Sequence, residues 1–109
     1  MFLVSVGGLE VAGFRHLWSF FRLAHAVRKE AMNAEGNISV DLFRQGRKFF
    51  VVSVWHSPAE MRSFARSGMH GELMRDGSAL IKSLVNVQYQ STALPTRDGA
   101  FAMWVQQKP

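Results

Sequence analysis

Cysteine is absent from this chain of 109 residues, which excludes disulfides, a thiolate nucleophile and any cysteine-ligated zinc site. Runs of like charge are missing too. The thirteen Lys and Arg give a net charge of +5, yet no basic run exceeds two residues. A phosphate-tracking surface concentrates its charge on one element or face, so the expectation is a solvated, arginine-biased surface without a nucleic-acid partner. No apolar run reaches the length of a bilayer span, and Met1-Phe2-Leu3-Val4 lacks the basic flank and long apolar core of a signal peptide. A cytoplasmic protein with no membrane partner is expected. Gly7-Gly8 lacks the Gly and Lys pattern of a phosphate loop. The carboxylates, Glu10, Glu30, Glu35, Asp41, Glu60, Glu72, Asp76 and Asp98, show no paired spacing for acid-base work. His16 and His56 have no partner at metal-ligand spacing, so no metal site is expected. Neither internal repeats nor low-complexity tracts occur, and the length fits a single domain over residues 1–109.

What is present organises itself around Phe49 to Gly71. Phe49 to Trp55 is apolar except for Ser53 and rich in aromatic and β-branched residues, which predicts a central strand. Phe50, Val52 and Val54 point to one face, and Phe49, Val51, Ser53 and Trp55 to the other. Ser57-Pro58-Ala59-Glu60 then reads as a capped helix start at Pro58. Met61, Phe64 and Ala65 form that helix's apolar face, and Gly68 and Gly71 weaken it as it approaches Met74.

Around this centre, Phe2 to Val6 alternates as a first strand, with Gly7-Gly8 interrupting it. From Phe14 to about Asn33, Leu17, Phe20, Phe21, Ala24, Val27 and Ala31 recur at helical spacing, and Gly36 suits the helix's end. Ile38, Val40 and Leu42 alternate to about Phe43 as a second strand, and Arg44-Gln45-Gly46-Arg47 turns it into the central one. Val85, Val87 and Tyr89 alternate with polar residues as a fourth strand with one wet face. Thr96 caps a short final helix whose Phe101, Trp104 and Val105 share a face.

The order β-α-β-β-α-β with a C-terminal helix predicts a ferredoxin-like α+β domain: an antiparallel sheet with both main helices on one face. The central strand is apolar on both faces, so the second face needs a cover. A second subunit or an enclosed ligand would supply it, and a homodimer is the working expectation.

Gly36-Asn37-Ile38, Phe50-Val51-Val52-Ser53-Val54-Trp55, Phe64, Ser67-Gly68, His70 and Leu94-Pro95 together resemble the dimeric α+β barrel superfamily. That group contains antibiotic-biosynthesis-type monooxygenases and haem-degrading enzymes, and within it the chain looks most like small relatives of spheroidene monooxygenase. The resemblance implies a barrel dimer and either an oxygenase or a ligand-binding protein.

Among residues able to carry chemistry, His70 leads as a catalytic base or haem ligand, with a solvent-bonded helix-end histidine as the structural alternative. Trp55 either holds a ligand through its indole N–H or closes the core, and it would line the barrel with Ser53 if that face is the dimer side. His25 lies one heptad after Trp18 on the flank of the first helix. Arg28, near the stripe that holds Phe21, either snorkels or meets an anion such as a carboxylate. Two functional readings follow. One is a monooxygenase acting on a small apolar ligand, with haem or without a cofactor; the other is a non-catalytic dimer for ligand binding or interaction.

Overall fold

The computed structural model describes residues 1–65 and 81–109. Strand β1 spans Phe2–Val11, a short 3-10 turn Phe14–His16 leads into helix α1 at Leu17–Met32, and β2 spans Asn37–Gln45. Strand β3 is Lys48–Trp55, helix α2 is described over Pro58–Ala65, β4 is Ile81–Ser91 and helix α3 is Arg97–Gln107. The course of the second helix toward Met74 lies outside the described residues. The sheet is antiparallel throughout, in the order β2-β3-β1-β4. This is the ferredoxin-like α+β arrangement.

Gly7-Gly8 does not interrupt β1, which runs unbroken through both. The glycines are there for space. A Cβ on Gly8 would stand 2.6 Å from the Trp104 indole and 2.7 Å from the Phe50 ring, so the close approach of α3 to β1 requires a residue without a side chain. The strand's irregularity comes later, at Glu10/Val11 against β4. A second irregularity lies between Asn37 and Ser39. It takes Ile38 out of alternation with Val40 and Leu42 and sends it to the cluster on the opposite face of the sheet. The β2–β3 hairpin closes through Gly46-Arg47 between the paired Gln45 and Lys48. Gly46 has φ +66° and Arg47 does not have positive φ, as a type II′ turn demands.

Val4, Val6, Phe50, Val52, Val54 and Val87 form a buried cluster on one face of the sheet, and Ala100 and Trp104 of α3 complete it. The C-terminal helix is thus the cover that the doubly apolar central strand required, and it comes from within the chain. Three contacts fix it. Thr96 Oγ1 accepts the Gly99 N–H at 3.0 Å as an N-cap, Trp104 Nε1 donates to the Val85 carbonyl at 2.9 Å, and Arg97 grips Asp41 with two bonds of 2.7 and 2.9 Å. The buried side of α3 is Ala100, Phe101 and Trp104; Val105, expected to share it, is 46% exposed.

Helices α1 and α2 lie over the other face. Met32 ends α1, and Gly36 follows with φ +84°. A Cβ on Gly36 would overlap the Glu60 side chain. Glu60 is itself held at the start of α2, where its carboxylate accepts the Ser57 hydroxyl at 3.1 Å and its N–H donates to the Ser57 Oγ at 3.4 Å. The capping residues are those expected, except that Glu60 binds the Ser57 side chain rather than its backbone.

Candidate functional site

Between α1, α2 and the sheet lies a cavity of about 290 Å³. Strand register builds its floor. One row across the sheet is Val40, Ser53, Ser5 and Gln88, and the next is Leu42, Val51, Gly7 and Asn86. Phe20, Ala24, Val27 and Ala31 of α1 and Met61 and Phe64 of α2 supply the apolar walls, and Trp55 lies at the end of β3. Helical and two-residue periodicities thus place the apolar stripe of α1 opposite a floor with a small polar centre.

That centre has definite chemistry. The Ser5 hydroxyl donates to Asn86 Oδ1 at 3.1 Å, with Ser53 and Gln88 on either side of Ser5 in the same row. Trp55 is 1% exposed and tilted against Phe64 with centroids 5.4 Å apart. Its Nε1–H is buried and has no hydrogen-bond partner. Among the described residues it is the one buried side-chain polar atom left unmet. An orphaned buried donor costs free energy, typically about 1–3 kcal/mol, so a polar ligand atom brought to it would recover that cost.

The expected site residues divide. Trp55 and Ser53 line the cavity. They face the helices, not the sheet face expected to meet a second subunit, because the odd-numbered side of β3 is the side α1 covers. Arg28 stands exposed at the cavity's rim. Its charge helps hold the Asp41 carboxyl below the ordinary carboxylate value, behind the larger effect of the Arg97 hydrogen bonds. Phe21 is 42% exposed and packs edge-on against Phe49 at 5.2 Å, while its neighbour Phe20 forms the wall. His25 is exposed and does not line the cavity. His70 lies outside the described residues.

Ser5, Asn86 and Gln88 are not among the site residues expected from the sequence, and Phe20, Met61 and Phe64 are expected there only as apolar helix positions, Phe64 also as part of the family resemblance. Alternation along β4 did mark Asn86 and Gln88 as a polar side, and that side is the cavity floor. A broader, more open recess of about 450 Å³ beside the first is lined by Glu30, Glu35, Glu60 and Ser63. Among the described residues no group of three or more His, Cys, Asp or Glu could hold a metal ion.

The described lining offers few groups that could ligate a haem iron. It contains no histidine or tyrosine, Tyr89 belongs to the opposite face, and Met61 offers only a thioether.

No family's sequence model and no curated protein sequence matches the chain. Solved structures do match. A Nitrosomonas europaea protein described as a candidate antibiotic biosynthesis monooxygenase superposes with a TM-score of 0.78 at 9% identity, covering 87% of this chain and 94% of its own. SnoaB, a cofactor-independent oxygenase from Streptomyces nogalater, gives 0.73 at 14% identity, covering 87% and 98%. A Pseudomonas aeruginosa protein gives 0.76 at 17% identity, covering 84% and 95%. At these identities the likeness is one of fold alone: these proteins share the ferredoxin-like α+β arrangement described above.

Proposed function

We propose that the cavity between α1, α2 and the sheet binds a compact apolar molecule carrying a carbonyl or hydroxyl group, and that the chain oxygenates it without a resident cofactor. The observation that carries this reading is the buried, unpartnered Nε1–H of Trp55, a residue that lines a mainly apolar cavity. A volume near 290 Å³ is at the small end of ligand pockets and suits a molecule of about two fused rings. Trp55 would hold the ligand oxygen. Asn86 and Ser53, across the polar rows, would position the reacting carbon.

The chemistry asked of such a site is modest. A ring CH₂ flanked by an aryl ring and a carbonyl can lose a proton to give an electron-rich enolate that reduces oxygen directly. Converting CH₂ to C=O places one oxygen atom in the product and one in water, with electrons and protons balanced and no external reductant. The protein's part is to orient the substrate, stabilise the enolate oxygen and exclude water. Oxygenase names among the structural neighbours agree with this reading.

A homodimer belongs to the proposal on the strength of the barrel resemblance alone, since α3 already covers the face that called for a partner. His70 remains the proposed base. The test is a titration with 2-tetralone, which has the acidic methylene and the carbonyl, against naphthalene, which has neither, combined with oxygen uptake. Saturable tetralone binding with oxygen consumption lost in His70→Ala supports the oxygenase. Saturable binding without oxygen consumption assigns the chain to non-catalytic ligand binding, and equal affinity for naphthalene discards the role of Trp55.

A further inference from the structure

The sequence scatters its cations, but the fold gathers five of them at one end of the molecule. Phe20 and Phe21 of α1 both pack on Phe49 of β3, with centroids 5.3 and 5.2 Å apart, which fixes the start of α1 beside the β2–β3 hairpin tip. That tip carries Arg44, Arg47 and Lys48, with Arg44 opposite Phe49 in the ladder. The start of α1 adds Arg15 and Arg22. Neither stretch contains a carboxylate, from Ala12 to Lys29 or from Leu42 to His56. Ion pairs among the described residues join Lys82 to Glu10 and Arg97 to Asp41, so none of these five cations is neutralised there.

Large apolar side chains stand among them. Phe14 is 91% exposed, Trp18 75% and Phe21 42%. Their spacing of four and then three residues puts them on one side of α1 and its leading turn, with Arg15 and Arg22 alongside.

We infer that this end is a surface for peripheral attachment to an anionic lipid bilayer. Phe14 and Trp18 enter the headgroup region, and Arg15, Arg22, Arg44, Arg47 and Lys48 meet lipid phosphates. Aromatic residues beside unpaired cations match the two forces that hold a monotopic surface on lipid, burial of apolar area and attraction to a negative leaflet. No helix among the described residues is long and apolar enough to cross a membrane, and surface attachment requires none. A second copy of this end is a poor occupant, because two-fold pairing would set five cations against five. Nucleic acid is less suited, because Phe14 and Trp18 project from the side of a helix and do not line the cavity in which bases would stack. The surface stands on its own observations, whatever the cavity holds.

Cosedimentation tests it, using vesicles of phosphatidylcholine alone and of equal parts phosphatidylcholine and phosphatidylglycerol. Trp55 and Trp104 are buried, so a blue shift of emission on binding reports Trp18. The expected result is binding to the anionic vesicles only, weakened by salt. It falls about tenfold or more in Phe14→Ser/Trp18→Ser and in Arg44→Ser/Arg47→Ser. Both variants keep the wild-type circular dichroism because these positions are exposed. Failure to bind anionic vesicles overturns the inference, as does binding that Phe14→Ser/Trp18→Ser leaves unchanged. Retention on single-stranded DNA without vesicle binding assigns the patch to nucleic acid. Self-association abolished by Trp18→Ser, with no lipid binding, assigns it to a second copy.

Discussion

Gly8 and Trp104 share one space: the indole of α3 occupies the position a side chain on β1 would fill. Gly8→Ala therefore overpacks the α3 layer against Trp104 and Phe50. The expected cost is about 1–3 kcal/mol, read as a lower midpoint in urea denaturation. Trp104→Ala leaves a cavity at the same place and breaks the bond to the Val85 carbonyl, at a cost of about 3–5 kcal/mol. Gly7→Ala faces the other layer, where the nearest atom would be Asn86 Oδ1 at 3.3 Å, and should cost less than Gly8→Ala.

Trp55→Phe separates binding from folding. The substitution removes the orphaned N–H while keeping a ring against Phe64, so stability should change by less than about 1.5 kcal/mol. Affinity for 2-tetralone should fall about tenfold, as expected for one lost hydrogen bond, with naphthalene unaffected. Isothermal titration of both probes measures this.

The bond between Arg97 and Asp41 carries a pH signature. Arg97's hydrogen bonds hold the Asp41 carboxyl below the ordinary carboxylate value. A carboxyl depressed on folding contributes stability that is fully present above its unfolded pKa and is lost as pH falls through the lower folded value. Denaturation midpoints from pH 6 down to about 2 should fall more steeply in the wild type than in Asp41→Asn, the difference opening below about pH 4. Both side chains are well exposed, so the effect is small and salt suppresses it.

Sedimentation velocity at micromolar concentration tests the homodimer. The proposal expects a dimer, and a stable monomer would remove that part while leaving the cavity in place. Its signal should be independent of Phe14→Ser/Trp18→Ser, since the aromatic end is assigned to lipid.

Period-two and period-3.6 patterns make the order of elements readable from the chain alone, and the caps at Ser57 and Thr96 are legible from local chemistry. What sequence could not supply was register. Ile38 changes face through a bulge that alternation does not reveal, and Gly7-Gly8 resembles an interruption until the indole that needs the space is seen. The site followed the same rule. Trp55 and Ser53 were identifiable from β3, and the polar side of β4 is wet as read, with Asn86 and Gln88 exposed, but nothing local says that this side also borders a cavity under two helices. The basic end stayed hidden because its cations come from two elements that only the Phe20, Phe21 and Phe49 contacts bring together.

With α3 on one side and α1 and α2 on the other, the sheet divides labour between its two surfaces. The valines under Trp104 carry the burden of holding the chain together, and the cavity residues are spared it. Ser5, Ser53, Asn86 and Gln88 can be exchanged for other side chains while the opposite layer keeps its packing, so the chemistry of the floor can change without unfolding the sheet. A mutational library confined to those four positions should return folded proteins at high frequency, whereas the same diversity at Val4, Val6, Val52 and Val54 should return few.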